Sequence, residues 1–413
     1  MTGMTRIGCK RGNSSIDKKV CKVLKLHLFN PENDLALADG SFNYCPPPAA
    51  MTIAAELATL PLWYAAADDV VYLNSDIHKE FHAVMARSFS LPAIYSPVLK
   101  GNITSLSPWG WSAQMRHRFK AMGFDRSLLP GDEEIVKMRS LSSRVLTIEV
   151  LTALGTAGID TPPLPCYIDN IHDVVAFVNS HERCVVKAPW SGSGKGIMWG
   201  IGRAEEPMVH FCRGVIRRQD GVVCEHFLNA KQEFAMEFRA VDGKVEFVGY
   251  SLFAAENGAY SGNLLAADEE IERMLLVYIP KERLAAVKGC LCDIMQKQLA
   301  GSGYCGYFGI DMMVYDNGDG YRLNPCMEIN LRMNMGVVAR LFYDRFVCSG
   351  GKGVYRVRFF KQAGEALRTH LELQAAHPLR VENGRVSQGY MSLVPVAPEN
   401  RYIAYVIIGE DVC

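Results

Sequence analysis

The stretch that most narrows what this chain can fold into is residues 306–334, GYFGIDMMVYDNGDGYRLNPCMEINLRMN. Two alternating apolar runs, 308–315 and 321–331, flank a cluster of Asp, Asn and Gly, the pattern of a β-hairpin. Side chains alternate along a strand, so Glu328, Asn330 and Arg332 at i, i+2 and i+4 share one face, and Ile329, Leu331 and Met333 face a core. An acid, an amide and a guanidinium on one face suit a Mg²⁺–phosphate complex, with two oxygen ligands for a hard cation and a fork for phosphoryl oxygens. Asp311 on the partner strand supplies a second carboxylate. A turn at Asp319-Gly320 sets it directly opposite Glu328. A turn at Asn317-Gly318 sets it opposite Asn324 instead, and Pro325 signals a bulge that absorbs the difference. Adjacent carboxylates repel unless a cation lies between them. An edge hairpin with a solvated polar face would show the same alternation without the chemistry.

A second signal lies at 185–199, VVKAPWSGSGKGIMW. A short apolar strand delivers Lys187 to the start of a loop made of Ser191, Gly192, Ser193, Gly194, Lys195 and Gly196. Such a loop lets backbone N–H groups close on phosphate oxygens while the lysine supplies fixed charge; a plain flexible turn has the same composition. It is no Walker A loop, because Gly196 follows Lys195 where Ser or Thr must reach the metal. A third signal, 222–238 (VVCEHFLNAKQEFAMEF), is a strand ending at Glu225, His226 and Phe227. A second strand follows, with Glu233, Glu237 and Arg239 on one face and Phe234, Met236 and Phe238 on the other.

In this order the three signals resemble the ATP-grasp superfamily over about residues 140–340. The resemblance implies an α/β (α+β clamp) fold and Mg-ATP as cofactor. Arg144 stands where that family carries an earlier phosphate-binding lysine, and it keeps the charge without the compact ammonium. Lys187 would contact the α/β-phosphates, the loop 191–196 would cover the β/γ-phosphates, and Glu225 and Phe227 would meet adenine through their backbone. Glu233 would bind the ribose; Asp311, Glu328 and Asn330 would hold Mg²⁺; Arg332 would stabilise the transferring phosphoryl group. Arg332 and Lys187 are therefore the expected catalytic residues.

Around this core the expected organisation is a polar leader (1–21), an N-terminal α/β domain (22–139), the nucleotide-binding lobes (140–349) and a small C-terminal α+β extension (350–413). In the N-terminal domain, strands at 23–29 and 70–73 alternate with helices at 49–60 and 77–88, and 105–111 reads as a loop. The first strand is broken by Asn30, Pro31, Glu32, Asn33 and Asp34, where open α/β sheets bind ligands, so Asn30, Glu32, Asn33 and Asp34 are substrate candidates. Residues 142–154 read as one helix.

Lys+Arg and Asp+Glu both number 44, giving a net charge of zero and no field to hold nucleic acid or an anionic membrane. The 13 cysteines are odd in number, scattered and free of CxxC pairs, which points to free thiols and a cytoplasmic protein. No Ser-His-Asp or Cys-His set stands out. The expected activity is ATP-dependent joining of a small carboxylate to an amine through an acyl phosphate. The alternatives are phosphoryl transfer to a hydroxyl or histidine, and a nucleotide sensor without turnover.

Overall fold

A computed structural model describes residues 24–192, 196–256 and 259–409. The expected leader 1–21 and the loop residues Ser193, Gly194 and Lys195 lie outside the described residues. Lys25–Leu28, Val70–Val71, Ala93–Ile94 and Ser105–Pro108 make a four-stranded parallel sheet, with Lys25–Leu28 and Val70–Val71 at its centre. Residues 105–108 were expected to be loop. They pair in register with the first strand, Lys25 opposite Ser105 and Leu28 opposite Pro108. The strand was hidden because Ser105 and Ser107 are small and polar, and because proline is tolerated only on an edge strand, which this one is.

The polar break after the first strand is also more ordered than a turn. Asn33 and Asp34 open the helix Asn33–Asp39, which ends on Gly40 in the left-handed region (φ 79°). Residues 142–144 were expected inside a helix but form the turn between Asp132–Leu141 and Leu146–Thr156. The Ser143 hydroxyl accepts from the Val145 N–H at 3.2 Å, and the Arg144 N–H is drawn out of the helix to Pro189 O at 2.9 Å.

Two antiparallel sheets form the lobes. The smaller has the order Cys166–Ile168, Val222–His226, Arg183–Lys187, Ile197–Ile201. The larger has the order Lys244–Ser251, Asn229–Val241, Gly306–Asp316, Tyr321–Asn330. Phe234, Met236, Phe238, Phe308, Ile310 and Met312 bury its rear face against the helices Leu146–Thr156 and Lys281–Leu299. Its front face looks toward the smaller lobe.

The residues from 350 onward pair with an earlier part of the chain. Gly353–Phe359 pairs with Ala259–Leu265, and the resulting six-stranded sheet also takes in Phe253–Glu256, Tyr402–Ile408, Arg385–Ser392 and Arg380–Glu382. The N-terminal domain is bound to the rest through one apolar cluster in which Trp63, Phe89, Phe342 and Phe346 meet edge to face or tilted at 5.5–5.8 Å. Trp63 Nε1 donates to Leu393 O at 2.7 Å. No helix among the described residues is long and apolar enough to cross a membrane.

Phe342 is fully buried at the meeting point of the domains. Phe342→Ala is expected to destabilise the chain by about 3–5 kcal/mol, read as an earlier urea midpoint followed by tryptophan fluorescence.

Candidate active site

The front face of the larger sheet is laid out in rows. Asp311 pairs directly with Glu328 on one side and Ala235 on the other. The next row holds Glu237, Gly309 and Asn330. The hairpin turn is centred on Gly318-Asp319, between the two alternatives the sequence allows, and a bulge between Asp311 and Met313 spanning Pro325 restores the Asp311–Glu328 pairing. The two carboxylates stand side by side. Burial first, and then the charge of Glu328, push the Asp311 carboxyl up to about 7. Asn330 Nδ2 donates to Asp311 Oδ2 at 3.0 Å.

Arg332 does not continue the strand, which ends at Asn330. Its N–H bonds back to Asn330 O at 2.7 Å, turning the chain. The guanidinium then meets Asp34 with two parallel bonds, Nε to Oδ1 at 2.6 Å and Nη2 to Oδ2 at 2.7 Å, while Nη2 also donates to Asn330 Oδ1 at 3.0 Å. Burial works against this charge, but Asp34, then Glu328 and Asp311, hold it above its ordinary range.

Arg144 is 3% exposed, and its two terminal nitrogens donate to protein: Nη1 to Ala188 O at 2.8 Å and Ser191 Oγ at 2.6 Å, Nη2 to Glu328 Oε1 at 2.8 Å. It fastens the start of the glycine loop to one of the acid pair. Lys187, at the end of its strand, bonds Glu225 Oε2 at 2.7 Å. Glu233 lies within the field of Lys187, and burial raises its carboxyl. Gly196 adopts φ +77°, and its carbonyl accepts from Ala188 N–H at 2.8 Å, closing the base of the loop. Gly192 approaches Asp34 so closely that a Cβ there would stand 2.4 Å from Oδ2.

The four substrate candidates divide. Asn30 donates to Gly110 O at 2.9 Å, and the Asn33 amide nitrogen faces the Gly110 and Trp111 carbonyls at 3.0 and 3.2 Å, so both asparagines hold the 109–111 segment. Glu32 is buried, its carboxyl raised by burial and its Oε2 without a hydrogen-bond partner among the described residues. Asp34 alone reaches the front-face cluster.

No protein-family model and no curated protein matches the chain. Solved structures do. A biotin carboxylase from Campylobacter jejuni in complex with β-γ-ATP superposes with a TM-score of 0.52 at 10% identity, over 94% of this chain and 88% of that one. The biotin carboxylase domain of the Hydrogenobacter thermophilus 2-oxoglutarate carboxylase, with MgADP and bicarbonate, gives 0.50 at 13% identity over 83% and 81%. The chain has the ATP-grasp fold. An N5-carboxyaminoimidazole synthetase from Staphylococcus aureus with ADP gives 0.47 at 13% identity, over 94% of each chain.

Within this ATP-grasp clamp the structure adds residues to which the sequence reading assigned no role. Trp199, 61% exposed, stands opposite Val185 and 5.9 Å from the Phe227 ring, which carries the Arg183 guanidinium at 3.4 Å. Together they make an apolar shelf on the face that Lys187 shares; the only signal was strand alternation from Ile197 onward. Glu237, on the strand face opposite Phe234, Met236 and Phe238, is only 1% exposed. Burial first pushes its carboxyl up to about 8, Asp311 adding to the rise and the Asn334 hydrogen bond opposing it. Gly309 and Gly336 make room for it, since a Cβ at either would come within 2.6 and 2.2 Å of its oxygens.

Asp34→Asn keeps the shape but removes the charge facing Arg332. With both side chains mostly buried, the expected loss is about 1–3 kcal/mol, measured as a fall in thermal midpoint that Asp34→Glu does not reproduce in full.

Proposed function

We propose that the chain is an ATP-dependent ligase that activates a small carboxylate with Mg-ATP and passes it to an amine. The observation that carries this is the acid pair Asp311–Glu328, with Asn330 bonded to Asp311 and Arg332 turning off the end of the same strand. Two carboxylates and an amide present hard oxygen donors, which fit Mg²⁺, and two adjacent, half-buried carboxylates favour a cation between them. When bound, the cation would neutralise phosphate oxygens. The same fold is found in the two biotin carboxylases, whose structures hold β-γ-ATP and MgADP.

In this reading Trp199, Val185 and Phe227 receive the adenine, Glu233 the ribose, and Lys187 the α/β-phosphates. Arg144 takes a part different from that of the family's lysine: it anchors Ser191 and Glu328 and so sets the loop against the acid pair. Arg332, held by Asp34, faces the transferring phosphoryl group. An oxygen of the substrate carboxylate attacks the γ-phosphorus. The bond to the β–γ bridging oxygen breaks, and its electron pair leaves with ADP. The amine nitrogen then attacks the acyl carbon and loses its proton to water, and the C–O bond to phosphate breaks, releasing inorganic phosphate. A carboxylate nucleophile needs no deprotonation, whereas a hydroxyl does. The corner fits the former, because Asp34, Asp311 and Glu328 are each already engaged with Arg332, Asn330 and Arg144.

Millimolar Mg-ATP is expected to raise the thermal midpoint, and an unchanged midpoint would remove the nucleotide reading. Glu328→Gln is expected to abolish turnover and also to lower stability modestly, because Glu328 is the partner of buried Arg144. If the variant keeps most of its activity, the metal assignment is wrong.

The ligase step has its own signature. Hydroxylamine should trap the acyl phosphate as a hydroxamate in a reaction that needs ATP and a carboxylate, and Arg332→Met should slow it by about 10²–10³. ADP accompanied by a stable phosphorylated product, with no hydroxamate from any acid, would replace the ligase with a phosphotransferase.

A further inference from the structure

A cavity of about 720 Å³ lies between the N-terminal sheet and the larger lobe, within the size range of small-molecule sites. Arg239 and Tyr307, which pair across adjacent strands, form part of its wall. They lie on the same sheet face as the acid pair, four residues away, or roughly 13 Å at the rise of a strand. On the opposite wall the first strand contributes Lys25 and His27, and Trp109 closes the end beside Met333. Met333 N–H bonds Trp109 O at 2.8 Å and its carbonyl accepts from Arg332 at 3.2 Å, so the cavity wall continues directly into the phosphoryl-facing arginine.

The polar groups of this cavity are unbalanced. Lys25, Arg239 and Arg345 line it, and none forms an ion pair among the described residues. The carboxylates that also line it have partners of their own: Asp69 meets His27 of the same wall at 3.0 Å and acts on Arg345 only through space, and Glu134 accepts from the Gly131 N–H at 2.7 Å. His27 is 8% exposed and Tyr64 6%, yet His27 Nδ1 and the Tyr64 hydroxyl have no hydrogen-bond partner among the described residues. The two rings meet edge to face at 5.7 Å, with Trp109 6.3 Å from Tyr64. Three cations without an ion pair among the described residues against two carboxylates, unmet polar atoms and aromatic walls describe a complement to a flat anion.

We infer that this cavity holds the body of the substrate whose carboxylate is activated, and that the substrate is a small ring-bearing acid. Its role as substrate rests on the ligase reading above; its binding does not. Arg239 and Arg345 grip the anionic end of the acid distant from the reacting carboxylate, and Tyr64 and Trp109 contact the ring.

Calorimetry on the full chain, without nucleotide, would use phthalate and indole-3-carboxylate as probes and butyrate as a ring-free control. The ring acids are expected to bind and butyrate not. Arg239→Met should weaken binding about tenfold or more, with the Mg-ATP melting shift unchanged. Arg345→Lys serves as the second variant, because it keeps a donor for Ala65 O, to which Arg345 donates. Absence of binding by every ring acid at millimolar concentration, or binding indifferent to both variants, overturns the inference. The hydroxamate assay run beside it separates the two claims. Binding lost in the variants, but with no hydroxamate from any bound acid, supports the site and overturns the ligase reading. Hydroxamate from an acid whose binding neither variant changes does the reverse.

Discussion

The paired bonds between Arg332 and Asp34 hold this molecule in working order. Asp34 comes from the first helix of the N-terminal domain and Arg332 from the end of the last clamp strand, almost three hundred residues apart. A bidentate guanidinium–carboxylate pair fixes direction as well as distance. It therefore sets the angle of the N-terminal sheet to the acid pair, the approach of the glycine loop to Asp34, and the wall shared by the active corner and the cavity beyond it. Breaking one side of such a pair leaves a charge in a place that water reaches poorly, which is why the join resists sliding.

Around that pair the corner is acidic. Asp311, Glu237 and Glu233 all have carboxyls raised by burial; Glu328 and Glu233 raise Asp311 further, and Asp311 in turn raises Glu237. A sheet face loaded this way is destabilising in isolation. It becomes favourable once cationic charge arrives, so part of the affinity for a metal–nucleotide complex is relief of repulsion already present in the empty clamp. Arg144 and Arg332 offset the repulsion from the two ends, on Glu328 and beside Asn330.

Much of this could be read from the chain. The hairpin was legible from alternation and turn residues, with Asp311 opposite Glu328 as one of two registers; the turn falls between the two expected centres, and the bulge at Pro325 restores that pairing. What escaped has common causes. The strand Ser105–Pro108 carries a single large apolar residue, Leu106, between two serines, too short a pattern to reveal it. Residues 142–144 have helical composition but are pulled out by a long-range bond from Arg144 N–H to Pro189. Glu237 alternates with core residues as a solvated acid would, and only the packing of Gly309 and Gly336 over it shows that it is enclosed. The Arg332–Asp34 pair and the cavity are tertiary facts, with no local signature at either partner.

The six-stranded sheet has a bearing on how the protein is made. Ala259–Leu265 leaves the ribosome long before Gly353–Phe359, which pairs with it, and Tyr402–Ile408, which covers that strand in turn, comes almost last. Until then Ala259–Leu265 presents an unpaired edge, the kind of surface that recruits other strands. Translation stopped near residue 350 would therefore release a chain with both clamp sheets able to form but an open flank beside them. Such a fragment is expected to aggregate, so residues 353–408, which carry none of the candidate site residues, bear on whether a nascent chain stays in solution.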